Sequence, residues 1–259
     1  KAGGAIIITA SHNPANWNGF KYKNETGSSA PPEVTAKIEA NIARILNTGQ
    51  IKQRALSEAM KQGLVEYLDL DPIYFAQVKK LINLEVLRRA GLKVIIDSMW
   101  GAGAGYLKDM LSGGATEVIE LHGERNTFFP EMERPEPIAP NLKALSAKVK
   151  RQKADVGLAT DGDADRMGIV DENGVFITQL QVFALLCLYL LEVRGERGPI
   201  VKTLNTTSMV YRLGEMFKVP VFETPVGFRH IAPVMLKQNA LIGGEESGGY
   251  GFRGHVLER

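Results

Sequence analysis

Three aspartates at alternate positions, Asp161, Asp163 and Asp165, follow an apolar run and precede Arg166. At a separation of ~5 Å and an effective dielectric constant of ~20, each pair of ionised carboxylates repels by about 3 kcal/mol. A cation between them removes that repulsion, and hard oxygen ligands favour Mg²⁺ or Ca²⁺. A fixed guanidinium beside them suits recognition of a phosphate. The string therefore predicts a divalent-cation site, with a solvated acidic turn as the competing interpretation.

A serine loop follows another apolar run. The string Ser-His-Asn-Pro begins at Ser11, and Asn18-Gly19 follows shortly after it. Both strings contain turn dipeptides, so Ser11 is expected on a tight, exposed loop. A serine hydroxyl is a poor nucleophile unless a neighbour takes its proton or a phosphate already occupies it. His12 and Lys21 are the nearby candidates for proton handling and charge neutralisation.

Two further loops contain polar or glycine residues after apolar runs, at 94–103 (VIIDSMWGAG) and 241–249 (LIGGEESGG). In the second, glycines allow close approach of the backbone to a ligand, and Glu245 and Ser247 offer partners for sugar hydroxyls. A simple glycine-rich turn is the competing interpretation. In open α/β sheets, ligands bind at the carboxyl ends of the strands, where these loops are expected.

The elements that carry the loops alternate between apolar β-branched runs and helical patterns. Strands are predicted at 5–9, 93–97, 117–121, 155–159, 168–170, 175–177, 200–203, 219–223 and 240–242. Helices are predicted at 32–46, 57–62, 72–90, 105–112, 142–150, 179–194, 209–217 and 231–237. Alternation with short connections indicates the α/β class with largely parallel sheets.

Composition disfavours several other classes. The 259 residues have a formal net charge of +2 and no long basic run, so we expect no nucleic-acid partner. The longest apolar stretch, 182–193, is too short to span a bilayer, and we expect no membrane partner. The single cysteine, Cys187, cannot form an internal disulfide, which fits a reducing, cytoplasmic location. A small-molecule ligand is the expected partner.

The strings T-A-S-H-N-P at 9–14 and D-G-D-A-D-R at 161–166, in this order on separate strand ends, resemble the α-D-phosphohexomutase family. G-E-E-S-G-G at 244–249 and the Pro-rich segment at 134–141 support the resemblance. It implies consecutive α/β domains with mixed, largely parallel sheets and helices on both faces. The expected domains are 1–71 with the serine loop, 72–177 with the metal loop and 178–259 with the sugar-binding loop. The resemblance also implies a fragment that lacks the start of domain one and all of domain four.

The resemblance implies a phosphoserine at Ser11, with Mg²⁺ held by Asp161, Asp163, Asp165 and an oxygen of that phosphate. The expected reaction interconverts hexose 1-phosphate and hexose 6-phosphate of glucose and/or mannose. Hexose 1,6-bisphosphate is the expected intermediate and activator. In relatives the fourth domain holds the non-transferring phosphate, so weak or absent turnover is expected of these 259 residues alone.

Other residues match the family's substrate contacts. Arg166 matches a contact to the transferring phosphoryl group, and His12 and Lys21 match residues that assist proton transfer or charge balance. Glu245 and Ser247 match sugar-hydroxyl ligands. Lys202 matches a lysine that faces the cleft, with a solvated lysine as the alternative. Gly227 and Arg229 lie in a further substrate loop, in which Phe228 stands where some relatives carry a histidine.

Three alternatives remain. A phosphoglucosamine mutase is disfavoured because such members usually carry Gln and His where this chain has Glu246 and Gly249. A phosphatase of the haloacid dehalogenase type would phosphorylate Asp161, but it leaves the Ser11 loop unexplained. A calcium-binding EF-hand would use the three aspartates with Glu172 at position 12, but Arg166 stands where that loop requires Gly.

Overall fold

The computed structural model describes residues 2–258, which form two compact units. One unit comprises the segment Ala30–Asn83 and contains the helices α1 (Pro32–Thr48), α2 (Leu56–Lys61) and α3 (Asp71–Leu81). The other comprises the described residues before Ala30 and after Asn83. All the candidate catalytic loops belong to this second unit.

The serine loop connects the two strands of an antiparallel hairpin. Strand β1 (Ala5–Ile8) pairs with β2 (Phe20–Lys23), and Ile8 lies opposite Phe20. The backbone N–H of Thr9 donates to the carbonyl of Gly19 at 3.0 Å, which extends the pairing to the base of the loop. The hairpin therefore fixes both ends of the loop that carries Ser11.

A five-stranded sheet carries the carboxylate loop. Its strands are β3 (Lys93–Asp97), β4 (Glu117–Leu121), β5 (Val156–Thr160), β6 (Met167–Asp171) and β7 (Phe176–Ile177). Their order is β4-β3-β5-β6-β7; β4, β3 and β5 are parallel, and β6 is antiparallel to both of its neighbours, β5 and β7. The helices on this part of the chain are α4 (Leu84–Arg89), α5 (Tyr106–Leu111) and α6 (Lys143–Gln152). The aspartates lie in the turn that joins β5 to β6.

A four-stranded sheet carries the glycine-rich loop, between its last two strands. It contains β8 (Ile200–Thr203), β9 (Val221–Thr224), β10 (Ile242–Gly244) and β11 (Tyr250–Phe252), in the order β11-β10-β8-β9. Its helices are α7 (Gln179–Leu188), α8 (Met209–Phe217) and α9 (Phe228–Gln238). Successive residues of β8 pack on opposite faces, Ile200 in the core with α7 and α8, and Val201 in the core with α9.

The α/β prediction is confirmed, and the strands predicted at 93–97, 117–121 and 200–203 match the observed bounds. The single helix predicted at 72–90 is wrong, because Ile82 is extended (φ −127°, ψ 133°) and separates α3 from α4. Ile82 is β-branched, and Asn83 after it is a residue type that favours the start of a helix. Together they explain the break. The helix predicted at 179–194 changes to a π-helical turn at Tyr189–Val193.

Strands β2 and β11 were not predicted. Strand β2 has four residues and β11 has three. Each adjoins a turn-type string, so the alternation of apolar and polar residues is too short to be recognised. Among residues 2–258, no helix combines the length and apolar character that a membrane span requires.

The core under the five-stranded sheet gives a stability prediction. Leu145 of α6 is fully buried among Ile95, Ala159 and Val170. Leu145→Ala should lower the free energy of unfolding by about 2–5 kcal/mol, because it removes buried methyl groups and leaves a cavity. Urea denaturation measures the change, and Lys143→Ala, at an exposed position of the same helix, is the control. Equal stability of the two variants would contradict the packing described.

Candidate active site

The serine loop is held by its own side chains. Ser11 has a positive φ of 57°, a left-handed conformation that a non-glycine residue keeps only when its surroundings fix it. Its backbone N–H donates to Oγ1 of Thr9 at 2.7 Å. Nδ1 of His12 lies 3.3 Å from Oγ of Ser11, so an imidazole stands beside the predicted nucleophile.

The carboxylate loop draws its three acidic groups together. One oxygen from each of Asp161, Asp163 and Asp165 lies within 4.8 Å of the others. Asp161 is fully buried, and its Oδ1 accepts the backbone N–H groups of Asp165 (2.9 Å) and Arg166 (3.1 Å). Burial, followed by the charges of Asp165 and Asp163, raises the pKa of Asp161 to about 8. The protein thus places a carboxylate where its charge is unfavourable without a cation.

The donor set fits a hard divalent cation. Oδ2 of Asp161 and Oδ1 of Asp163 are buried and accept no hydrogen bond from any residue in the range 2–258. Buried oxygens without a hydrogen bond are costly, and a metal ion in contact with them removes that cost. Carboxylate oxygens are the ligands that Mg²⁺ prefers. These residues can therefore hold the Mg²⁺ expected from the sequence.

The structure brings the serine loop onto the carboxylate loop, although 154 residues separate Thr9 from Asp163. Oγ1 of Thr9 donates to Oδ2 of Asp163 at 3.0 Å. The backbones also touch, because a Cβ on Gly162 would lie 2.6 Å from the carbonyl oxygen of Ser11. Only glycine at 162 allows this approach. The hydroxyl predicted to be phosphorylated and the predicted metal ligands therefore belong to one site.

Lys21 lies between these loops as a charge-balancing group. Its Nζ lies 3.1 Å from Oδ2 of Asp163 and 3.3 Å from Oδ2 of Asp165. Burial lowers the pKa of Lys21, but the charges of Asp165 and Asp163 outweigh burial and raise the pKa above its ordinary value. Lys21 is therefore protonated at neutral pH and balances the charge of Asp163 and Asp165.

A proline-rich strap, defined here as residues 134–137, holds the other side of the carboxylate loop. The carbonyl of Pro135 accepts the N–H of Gly162 at 3.0 Å. Nη1 of Arg166 donates to Oε1 of Glu136 at 3.3 Å, and Nε of Arg166 lies 3.9 Å from Oδ2 of Asp161. The guanidinium of Arg166 is thus fixed beside the carboxylates.

Thr9 and Glu136 are site residues that the sequence analysis missed as individuals. Both lie within strings used to recognise the family, T-A-S-H-N-P and the Pro-rich segment at 134–141. Their roles depend on contacts with Asp163 and Arg166, which lie 154 and 30 residues away. A string can point to such residues, but only the fold identifies their partners.

The glycine-rich loop abuts the carboxylate loop at its far end. The N–H of Met167, the residue after Arg166, donates to the carbonyl of Gly248 at 3.1 Å. Oγ of Ser247 donates to Oε2 of Glu245 at 3.3 Å, and Glu245 is only 3% exposed. The two predicted sugar ligands are therefore oriented towards each other, on a loop that contacts the end of the metal loop.

The interpretation of the first two glycines of that loop is wrong. Gly243 and Gly244 lie inside β10 and are buried. A Cβ on Gly243 would collide with Met235, and one on Gly244 would lie 2.5 Å from the ring of Phe183. Core packing, not the approach of a ligand, requires these two glycines.

The loop that contains Gly227 and Arg229 lines a cavity of about 290 Å³. Lys21 and Asp165 line the same cavity, so this loop adjoins the site. Phe228, which replaces the histidine of some relatives, is 4% exposed and packs in the core with α9. Arg229 is exposed, and its Nε donates to Nε2 of His230 at 3.2 Å. Arg229 is therefore the cationic side chain that this loop offers to the cavity.

Lys202 is not a solvated lysine. It lies within β8 with 1% of its side chain exposed, and its Nζ lies 2.9 Å from Oε2 of Glu223. Its ammonium also lies 5.0 Å from the centre of the Tyr211 ring. Within the described part of the chain, no hydrogen bond or ion pair joins Lys202 to the aspartates.

The calcium-module alternative is incompatible with the surrounding structure. An EF-hand loop connects two helices, whereas strands β5 and β6 flank the aspartates. Glu172, its twelfth position, lies beyond β6, where its Oε1 accepts a hydrogen bond from Asn173 at 2.9 Å. Glu172 therefore serves as a control position for metal binding.

Metal binding gives a direct prediction. Asp163→Asn should weaken binding of Mn²⁺, used as a probe for Mg²⁺, by at least tenfold, because it removes one of three anionic ligands. Glu172→Gln should bind as the unmodified chain does. Isothermal titration calorimetry on both variants measures the difference. Equal affinity of the variants would show that the cation lies elsewhere.

Three sequence patterns of one family match the chain in order. Phosphoglucomutase/phosphomannomutase, alpha/beta/alpha domain I matches residues 1–48, domain II of the same family matches 72–174, and domain III matches 179–259.

Individual relatives agree with these patterns. The phosphoglucomutase/phosphomannomutase of Thermococcus kodakarensis is 32% identical over 258 residues, which is 100% of this chain and 55% of the relative. A probable phosphoglucosamine mutase of Methanothermobacter thermautotrophicus is 33% identical over 248 residues, 95% of this chain and 51% of the relative. The crystal structure of a putative phosphomannomutase from Thermus thermophilus superposes with a TM-score of 0.85 at 37% identity, covering 100% of this chain and 57% of that one.

This chain spans about half the length of the curated relatives it matches. Its three domain matches follow the family order, and its serine and carboxylate loops meet at one site. The chain belongs to the phosphoglucomutase/phosphomannomutase family, the α-D-phosphohexomutases.

Proposed function

We propose that this chain carries the nucleophile and the metal ligands of an intramolecular phosphotransferase that interconverts hexose 1-phosphate and hexose 6-phosphate. The contact between the serine loop and the carboxylate loop is the observation that supports it most directly, with Thr9 Oγ1 and Asp163 Oδ2 3.0 Å apart. A phosphoryl group on Ser11 would lie beside three carboxylates, an arrangement that is unfavourable unless a cation binds both. The geometry thus links phosphorylation of Ser11 to metal binding.

The metal is proposed to be Mg²⁺, held by Asp161, Asp163, Asp165 and an oxygen of the phosphoserine. When bound, it would supply neutralisation of the charge on the phosphoryl oxygens. Phosphoryl transfer depends on alignment and on cancellation of that charge more than on covalent chemistry. Arg166, fixed by Glu136 at 3.3 Å, adds a second positive group for the transferring phosphoryl.

In the first proposed half-reaction, a hydroxyl of the hexose monophosphate attacks the phosphorus of phosphoserine 11. The bond from phosphorus to Ser11 Oγ breaks as the bond to the sugar oxygen forms, and the proton of the sugar hydroxyl ends on Ser11 Oγ. His12, 3.3 Å from that oxygen, is placed to hold this proton during the transfer. Lys21 remains charged and balances Asp163 and Asp165.

The second half-reaction is the reverse on the other end of the sugar. The hexose 1,6-bisphosphate reorients, and its other phosphoryl group returns to Ser11 to release the isomeric monophosphate. Glu245 and Ser247 are proposed to bind sugar hydroxyls in both orientations. Gly227 and Arg229 line the same cavity as Lys21 and Asp165, and they are proposed to contact the substrate, since Arg229 and the N-terminus of α9 offer positive charge there.

Lys202 is proposed as a further substrate contact, with Glu223 bound to one side of its ammonium group and two N–H donors left over. For the division of the chain, we propose residues 1–71, 72–177 and 178–259 as parts of three successive domains that carry the serine, carboxylate and sugar loops respectively.

Glucose and/or mannose phosphate is the proposed substrate class. Glu246 and Gly249 stand where glucosamine-specific members usually carry Gln and His, although a relative from Methanothermobacter is named a probable phosphoglucosamine mutase. Turnover of glucose 1-phosphate, mannose 1-phosphate and glucosamine 1-phosphate by the longest available form of the protein decides between them. Faster turnover of glucosamine 1-phosphate would favour the alternative.

The nucleophile is tested by phosphate transfer to the chain itself. With Mg²⁺ and glucose 1,6-bisphosphate carrying labelled phosphate, the label should appear on the peptide that contains Ser11, and Ser11→Ala should abolish it. Ser57→Ala, at an exposed serine of α2, should label as the unmodified chain does. Peptide mass spectrometry locates the phosphate.

Two outcomes would contradict this proposal. Label that persists in Ser11→Ala would mean that another residue is the nucleophile. Phosphate trapped on Asp161 would favour the aspartyl-phosphate phosphatase alternative.

The role of Arg229 gives a binding prediction. Arg229→Met, in a Ser11→Ala background that prevents transfer, should raise the dissociation constant for glucose 1,6-bisphosphate about tenfold, because it removes a charged hydrogen bond worth about 1.5 kcal/mol. Arg212→Met, on the exposed surface of α8, is the control. Calorimetry that finds equal affinity in the two variants would remove Arg229 from the site.

A further inference from the structure

An acid–imidazole pair with a fully buried acid adjoins the turn formed by residues 98–102, in one of the loops that follow apolar strands. Asp97, at the end of β3, has no exposed surface. Its Oδ1 lies 2.7 Å from Nδ1 of His122 and accepts the N–H of Met99 at 3.0 Å. The ring of His122 stacks on that of Trp100 with centroids 3.8 Å apart. None of these residues is among the proposed substrate or metal contacts.

The pair fixes a backbone that would not adopt its conformation unaided. Met99, Trp100 and His122 all have positive φ, at 45°, 55° and 48°. Residues with side chains keep such conformations only when the surrounding contacts determine them. Here the N–H of Trp100 donates to the carbonyl of His122 at 3.0 Å, so the two strained segments hold each other.

The opposite side of the turn supports the carboxylate loop. The N–H of Ala102 donates to the carbonyl of Gly162 at 2.9 Å. The turn approaches so closely that a Cβ on Gly101 would lie 2.7 Å from that carbonyl oxygen and 3.0 Å from the carbonyl oxygen of Asp161. A shift of the turn would therefore displace the backbone that carries Asp161 and Asp163.

We propose that Asp97 and His122 are positioning residues for the metal site, acting through the turn at residues 98–102. Rigid support matters here because the carboxylates repel one another, and a loosely held loop would separate them. Partners outside the ligand shell commonly determine metal affinity in this way. The inference rests on the proposed metal site, but it assigns a role to residues that contact neither metal nor substrate.

The test compares Mn²⁺ affinity in three variants of this chain by calorimetry. His122→Leu removes the donor to Asp97 and should weaken Mn²⁺ binding about tenfold. His122→Asn should restore most of the affinity, because its amide nitrogen can replace Nδ1 and Asn tolerates a positive φ. His255→Gln, at a histidine outside the site, should leave the affinity unchanged.

A fourth variant covers the case in which His122→Leu does not fold. Gly101→Ala keeps the Asp97–His122 pair but inserts a methyl group between the turn and the carboxylate loop, and it should also weaken Mn²⁺ binding. Circular dichroism and thermal unfolding establish that each variant is folded before its affinity is compared.

The outcomes separate this inference from the function on which it rests. Unchanged Mn²⁺ affinity in folded His122→Leu and Gly101→Ala variants would overturn the positioning role and leave the metal site standing. Equal losses in His122→Leu and His122→Asn would overturn the role of the hydrogen bond. Failure of the unmodified chain to bind Mn²⁺ would overturn both the metal site and this inference.

Discussion

Repulsion among three carboxylates is the constraint around which the site is arranged. Asp161, Asp163 and Asp165 bring oxygens within 4.8 Å of one another, at a cost of about 3 kcal/mol for each pair in which both carboxylates are ionised. The chain offsets part of this cost from several directions. Backbone N–H groups donate to Asp161. The side chains of Lys21 and Thr9 bind Asp163, and Lys21 also binds Asp165. Two buried oxygens still accept no hydrogen bond from the described residues, which leaves a defined place for a cation.

The same constraint explains the position of Ser11, the proposed nucleophile. A serine phosphate is itself anionic, so its position beside the carboxylates is favourable only when a cation joins the two. Thr9 links both sides, since one hydroxyl accepts the N–H of Ser11 and donates to Asp163. Phosphorylation and metal binding are therefore expected to reinforce each other, and neither loop alone would specify this chemistry.

Local strings predicted much of this arrangement. The turn dipeptides placed Ser11 on a loop, and the alternate aspartates indicated a cation site, because both signals depend on neighbours in sequence. The family resemblance supplied the link between them. The strand bounds at 93–97 and 200–203 were also readable, since each contains adjacent β-branched apolar residues, which are enriched in strands.

Features that depend on distant partners could not be predicted in this way. Lys202 could not be paired with Glu223, nor Glu136 with Arg166, because each pair forms only when separate strands or loops meet. The glycines of β10 read as a ligand loop, whereas the fold uses their small size for Met235 and Phe183. Asp97 lies in a string that indicated only a loop after a strand, and His122, outside that string, carried no signal of its own.

The central claim is that one cation binds both the carboxylates and the phosphate on Ser11. Phosphorus-31 NMR of the chain phosphorylated on Ser11, titrated with paramagnetic Mn²⁺, tests it directly. The account predicts that the phosphoserine resonance broadens beyond detection at about one equivalent of Mn²⁺, and that Asp161→Asn largely prevents the broadening. A phosphoserine resonance that stays sharp while the chain binds stoichiometric Mn²⁺ would contradict it.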